Sequence, residues 1–205
     1  MKNKKIKIKD LFLDKRYILL FALILFSIVI LYKTIKFSDV NNKKIKVTVL
    51  QQDRDIKNLH DKTNTTFARD FYVDEINFPV SSSVFKHKHL RVLQLYEFKN
   101  NFIVVVETFL RVNKEGVYEF DVYSDDGFSL TIGDAVIMEF PYARDMDRSI
   151  ANVILPVPGN YYLKIEYFQG LGLMGLKAMY KRMNDDHFYM VGEDSPYITY
   201  SPSAQ

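Results

Sequence analysis

Between residues 102 and 183 the sequence consists of short runs rich in Val, Ile, Phe and Tyr: 102–112, 117–123, 128–132, 135–140, 150–155, 161–168 and 176–183. Within the runs apolar and polar residues alternate, which is the period of a half-buried strand. The breaks carry turn chemistry: Asn113-Lys114-Glu115-Gly116, Ser124-Asp125-Asp126-Gly127, Gly133-Asp134 and Pro156-Val157-Pro158-Gly159-Asn160. Many short strands at roughly ten-residue spacing predict an antiparallel β-barrel or sandwich. Residues 45–50 begin the series as a leading strand, and 51–66 are polar and read as a loop or partly helical segment.

Residues 18–31 (ILLFALILFSIVIL) contain no charge, no Gly and no Pro, and Ser27 is the sole polar side chain. Tyr17 and Tyr32 bracket the run as an interfacial belt would, and Lys15, Arg16, Lys33 and Lys36 can lift their charges into headgroups. A cleaved signal peptide needs small residues before its cut, and Leu31-Tyr32-Lys33-Thr34-Ile35-Lys36 is too bulky and charged. The expectation is a single transmembrane helix over 17–37. Seven Lys/Arg precede the run (2, 4, 5, 7, 9, 15, 16) and five follow it closely (33, 36, 43, 44, 46). That bias places the N-terminus in the cytoplasm and the rest outside, as a single-pass protein of the inner (cell) membrane facing the periplasm.

Charge is distributed accordingly. The formal net charge is +3, yet residues 1–46 hold 12 Lys/Arg against three Asp, and residues 47–205 hold 16 Lys/Arg against 22 Asp/Glu. Net positive charge is thus confined to the tail and stalk, which excludes nucleic acid as a partner of the folded part. The absence of Cys excludes disulfide staples, thiolate metal sites and a cysteine nucleophile. The expected organisation is a basic cytoplasmic tail (1–16), the anchor (17–37), a stalk with the leading strand and loop (38–66), the β domain (67–190) and an extended C-terminal tail (191–205).

The stretch from Phe109 to Gly133 (FLRVNKEGVYEFDVYSDDGFSLTIG) combines a strand, a Gly-containing turn, a Tyr-x-Phe strand, Ser-Asp-Asp-Gly and a strand ending in Leu-x-Ile. It resembles the signature of the PA14 domain family. Pro158 to Gln169 (PGNYYLKIEYFQ) resembles that family's later strand, and Gly175 to Tyr180 (GLKAMY) its closing strand. The similarity covers roughly residues 71–183. It implies a PA14-like β-barrel or sandwich of the kind used by adhesins, some toxins and accessory regions of glycosidases, often for glycan binding.

In lectin members the adjacent aspartates bind calcium, which makes Asp125 and Asp126 the ligand or calcium site implied by the resemblance. Calcium wants six to eight oxygen ligands, and residues 169–175, where those lectins add an asparagine and carbonyls, contain no Asn or Asp. The expectation is therefore an Asp turn with no metal and no cofactor, in which Gly127 takes a positive φ. In the same loop Gln169, Leu171, Leu173 and Met174 form a candidate contact tip, with folding back over the barrel end as its alternative.

Other constellations are thinner. His87 and His89 share a strand face without a third ligand, Asp145 and Asp147 alternate with Arg144 and Arg148 as local ion pairs, and Asp185-Asp186-His187 reads as solvent-exposed. Glu107, Glu119 and Glu166 fit outward strand positions, and no catalytic constellation stands out. The reading is a non-enzymatic binding module recognising a glycan or other envelope component. The alternatives are a docking subunit of an envelope-spanning machine and an accessory domain of a carbohydrate-active enzyme.

Overall fold

The computed structural model describes residues 15–41, 44–81, 98 and 100–203. The tail 1–14, His87 and His89 lie outside the described residues. The chain divides into two compact units, Met1–Asn42 and Lys43–Gln205.

In the first unit, helix α1 (Lys15–Asn41) contains the charge-free run. Its described side chains, 18–31, are all exposed and apolar except Ser27, whose hydroxyl donates to the Leu23 carbonyl at 2.9 Å. That bond satisfies the one polar group of the run within the helix. Fourteen residues make about 21 Å of helix, and among the described residues no helix is long and apolar enough to cross a membrane.

The second unit is mainly β. In chain order its strands are β1 (Ile45–Gln52), β2 (Thr65–Val73), β3 (Asn77–Ser81), β4 (Phe102–Val112), β5 (Gly116–Asp125), β6 (Phe128–Ile132), β7 (Ala135–Phe140), β8 (Asp147–Leu155), β9 (Gly159–Gln169), β10 (Met174–Arg182), β11 (Tyr189–Met190) and β12 (Ile198–Ser201). All their pairings are antiparallel. One sheet runs β2-β1-β4-β9-β6-β7, with β12 added to β4; the other runs β11-β10-β5-β8, with β3 added to β10. Alternation decides which residues meet between them. Val104, Val106, Leu163 and Ile165 from the first sheet, and Tyr118, Phe120, Val122, Leu176 and Tyr180 from the second, are fully buried in one shared core. Tyr118, Phe120, Leu130, Ile132, Ile165 and Tyr167, the interior expected from the alternation, are all buried.

Of the two forms left open by the sequence, the structure takes the two-sheet one, and no ladder closes it into a barrel among the described residues. The chain passes from β7 to β8 through Pro141, which has no N–H to donate, and changes sheet there. The tail from 191 is not a loose extension. Ser195 Oγ accepts N–H bonds from Tyr197 (3.1 Å) and Ile198 (3.0 Å), turning the chain back so that β12 pairs with β4 and buries Ile198 and Tyr200. The stalk likewise ends early, because β1 sits inside the first sheet between β2 and β4.

Candidate functional site

Five backbone segments converge at one end of the sandwich: 53–64, 100–101, 125–127, 141–146 and 170–173. The Ser-Asp-Asp-Gly turn joins β5 to β6 and is the hub. Asp125 and Asp126 are 4% and 5% exposed. Asp126 Oδ2 accepts the Gly170 N–H at 2.8 Å and its Oδ1 accepts the Arg144 N–H at 3.3 Å, so one carboxylate ties the β9–β10 loop to the β7–β8 loop. The Tyr167 hydroxyl bonds to the Asp125 carbonyl and to Gln169 Oε1, while Gln169 Nε2 donates to the Leu173 carbonyl at 2.7 Å.

The neighbouring segments are fixed the same way. Asn101, at φ 55, donates its N–H to the Gly170 carbonyl (3.0 Å) and its side-chain amide to Asp55 (2.8 Å). Leu59 N donates to the Pro141 carbonyl (2.8 Å), and His60 Nε2 lies 3.1 Å from Glu139. The chain enters the sheet at Ile45 and reaches this pole at Gln52, whose N–H bonds to the Asn101 carbonyl at 2.9 Å. The loops therefore sit at the far end of β1 from the chain's entry.

Burial raises Asp125 to about 6, helped by the charges of Asp126 and Asp145, and burial raises Asp126 as well. The site also contains a cation that the sequence reading misplaced. Arg144 does not pair with its acidic neighbours: its guanidinium lies over Phe140 (4.5 Å) and Phe128 (5.5 Å) and donates to Ser124 (2.8 Å) and Ser149 (3.0 Å). Arg148 reaches across to Asp121 at 2.7 Å. A guanidinium between two aromatic faces is attracted by their quadrupoles and spreads its fork over hydroxyls.

Gly127 serves space rather than conformation. Its φ is not positive, and a Cβ there would lie 2.4 Å from the Phe140 carbonyl oxygen. Of the four residues expected in the contact tip, Leu171 (68%) and Leu173 (49%) are exposed, whereas Gln169 and Met174 are buried. Gln169 extends the inward parity of Leu163, Ile165 and Tyr167, and Met174 opens β10.

Both Asp126 oxygens are taken by N–H donors, Gln169 turns its amide to Tyr167 and Leu173, and the described residues assemble no group of three His, Asp or Glu able to hold a metal. Glu107, Glu119 and Glu166 lie on outer faces beside Lys46 (3.9 Å), Lys181 (3.9 Å) and Lys164 (2.9 Å).

The model of the PA14 domain matches residues 92–176. Among solved structures, the PA14 domain of the MpAFP antifreeze protein superposes with a TM-score of 0.58 at 15% identity, over 77% of this chain and 90% of that one. The PA14 sugar-binding domain of an RTX adhesin gives 0.56 at 13%, over 72% and 94%. The Epithelial Adhesin 6 A domain from Candida glabrata, solved with Galβ1-3GlcNAc, gives 0.51 at 15%, over 80% and 88%. At these identities the likeness is one of fold. No curated protein sequence matches the chain.

Proposed function

We propose that the chain, whose residues 92–176 match the model of the PA14 domain, is a membrane-anchored, extracytoplasmic binding module that recognises a glycan of the cell envelope without a metal. The observation that carries this reading is the loop cluster held by Asp126, which is preorganised and lies at the end of β1 away from the chain's entry. Preorganised loops lose little freedom on binding, so modest polar contacts suffice for affinity. Two of the relatives in fold are named as a sugar-binding domain and as an adhesin in complex with a disaccharide. A second reading, a docking subunit of an envelope-spanning machine, draws on β8, whose Ile150 and Ile154 are exposed on a strand paired only with β5 among the described residues.

A panel of unacylated envelope polysaccharides offered to the full chain tests recognition. At least one is expected to bind, equally with calcium or with chelator, and millimolar calcium is expected to leave the melting temperature unchanged. A calcium ion that bound only the folded state would stabilise it by about 2.7 kcal/mol at a hundredfold excess over its dissociation constant. A clear shift that disappears on replacing both aspartates by Asn would overturn the metal-free reading.

Anchoring rests on the charge-free run 18–31 and the seven-to-five basic bias around it. The protein is expected to sediment with membranes, and protease added to the outer face of the inner membrane is expected to cut beyond residue 46. A protected β domain would reverse the orientation and remove the envelope ligand.

A further inference from the structure

The β9–β10 loop holds two leucines out in solvent and cannot fold them away. It is fixed at three points: Gly170 N–H on Asp126 (2.8 Å), the Gly170 carbonyl on Asn101 N–H (3.0 Å), and the Leu173 carbonyl on Gln169 Nε2 (2.7 Å). Gly172, at φ +98, makes the reversal between Leu171 and Leu173, a conformation that favours glycine. Two further exposed apolar side chains sit nearby. Val80 (47%) flanks the base of the loop, its Cα being 3.3 Å from where a Cβ on Gly175 would lie, and Tyr142 (62%) stands on the β7–β8 loop tied to the same Asp126. Apolar side chains held out on tied segments leave surface that is unfavourable in water and that a ligand can cover.

Leu171, Leu173 and Tyr142 stand on the loops tied to Asp126, at which the ligand proposed above would sit, so one ligand can cover both. The chemistry of these side chains narrows what that ligand carries. A flat sugar face suits a flat aromatic ring, and Tyr142 offers one. Leu171, Leu173 and Val80 instead offer aliphatic, non-directional surface of the kind that packs against hydrocarbon. We propose that the ligand is an amphiphilic glycan, with its sugar at the Asp126-held loops and an acyl or other aliphatic substituent packed on Leu171, Leu173 and Val80. This rests on the glycan reading and narrows its substrate class.

The test uses the full chain in phospholipid nanodiscs. Immobilised probes are lipopolysaccharide and lipoteichoic acid, each in native and chemically deacylated form, and phospholipid vesicles free of glycan. At least one native glycolipid is expected to bind about tenfold or more tighter than its deacylated form. The double variant L171D/L173D, altered at exposed positions and expected to melt with the wild type, should bind the native form only as well as the deacylated one. Equal affinity for native and deacylated forms, or a variant that binds like wild type, overturns the inference and leaves the glycan reading standing. Phospholipid vesicles that bind as well as the glycolipid overturn it in favour of bilayer contact. Binding to none of the probes also overturns it, and the unacylated panel then decides the glycan reading separately.

Discussion

Replacing Phe120 with Ala is expected to destabilise the β domain by about 3 to 5 kcal/mol, against a total stability of about 5 to 15 kcal/mol for an ordinary domain. Phe120 is fully buried on the inner face of β5. Its ring stacks on Tyr180 of β10 at 5.9 Å, and Tyr180 in turn meets Tyr200 of β12 at 6.0 Å. Since β12 belongs to the other sheet, this aromatic chain joins the two layers, and no exposed side chain can move in to fill the void. Thermal unfolding followed by circular dichroism should show the midpoint falling by roughly 6 to 20 °C, as the usual size scaling gives for 150 to 250 residues. Glu119→Ala, on the outer face beside Lys181 at 3.9 Å, should change it by little, because a partly exposed ion pair contributes at most about 1 kcal/mol. A Phe120 variant that melts with wild type would place the core elsewhere and invalidate the inward parity assigned to β5.

That parity is what made much of the fold legible in the sequence. Runs with strict alternation, such as 102–112 and 161–168, became β4 and β9 with nearly the expected ends. Elements without alternation were lost. The first four residues of β2 are all exposed, so Thr65 to Asp70 carries no buried face to read. The strand β12 hides behind Ser195 and Pro196, whose composition reads as a loop although the Ser195 hydroxyl builds the turn into the strand. Barrel or sandwich was undecidable because both need the same alternation, and the outcome depends on edge pairing: among the described residues β7 pairs with β6 and β8 with β5, so no ladder joins the two sheets.

The site divided along similar lines. The Ser-Asp-Asp-Gly motif stood out, but the partners of Asp126 are backbone N–H groups of Gly170 and Arg144, which have no signature in side-chain identity. Gln169 was legible and missed. Extending the odd-numbered inward positions of β9 by one step places its side chain inside, where it holds the Leu173 carbonyl instead of facing a partner. Arg144 beside Asp145 and Asp147 invited a local ion pair, and only the approach of Phe128 and Ser124 from the β5–β6 turn, with Phe140 beside them, offers the guanidinium a better seat.

Gly127→Ala should cost about 3 kcal/mol or more, at the upper end for overpacking a filled site, and should disable the loop pole in the same stroke. The added Cβ would lie 2.4 Å from the Phe140 carbonyl oxygen, 2.6 Å from that of Tyr142 and 2.6 Å from the Phe168 ring. Two of these three are backbone atoms, which cannot rotate aside as a flexible side chain would. Relief requires moving the chain around Pro141, and that strains the Leu59 N–H bond to the Pro141 carbonyl and the Arg144 N–H bond to Asp126. Gly133 supplies the contrast. At φ +61, with nothing within 4 Å of an added Cβ, its alanine variant meets conformational strain alone, roughly 1 to 2 kcal/mol. Melting curves should therefore rank Gly127→Ala below Gly133→Ala, and the Gly170 amide should lose hydrogen-exchange protection only in the former. If the two variants melt together and the Gly170 amide stays protected in both, the close approach at Gly127 does not hold the loops, and the case for a preorganised binding pole fails with it.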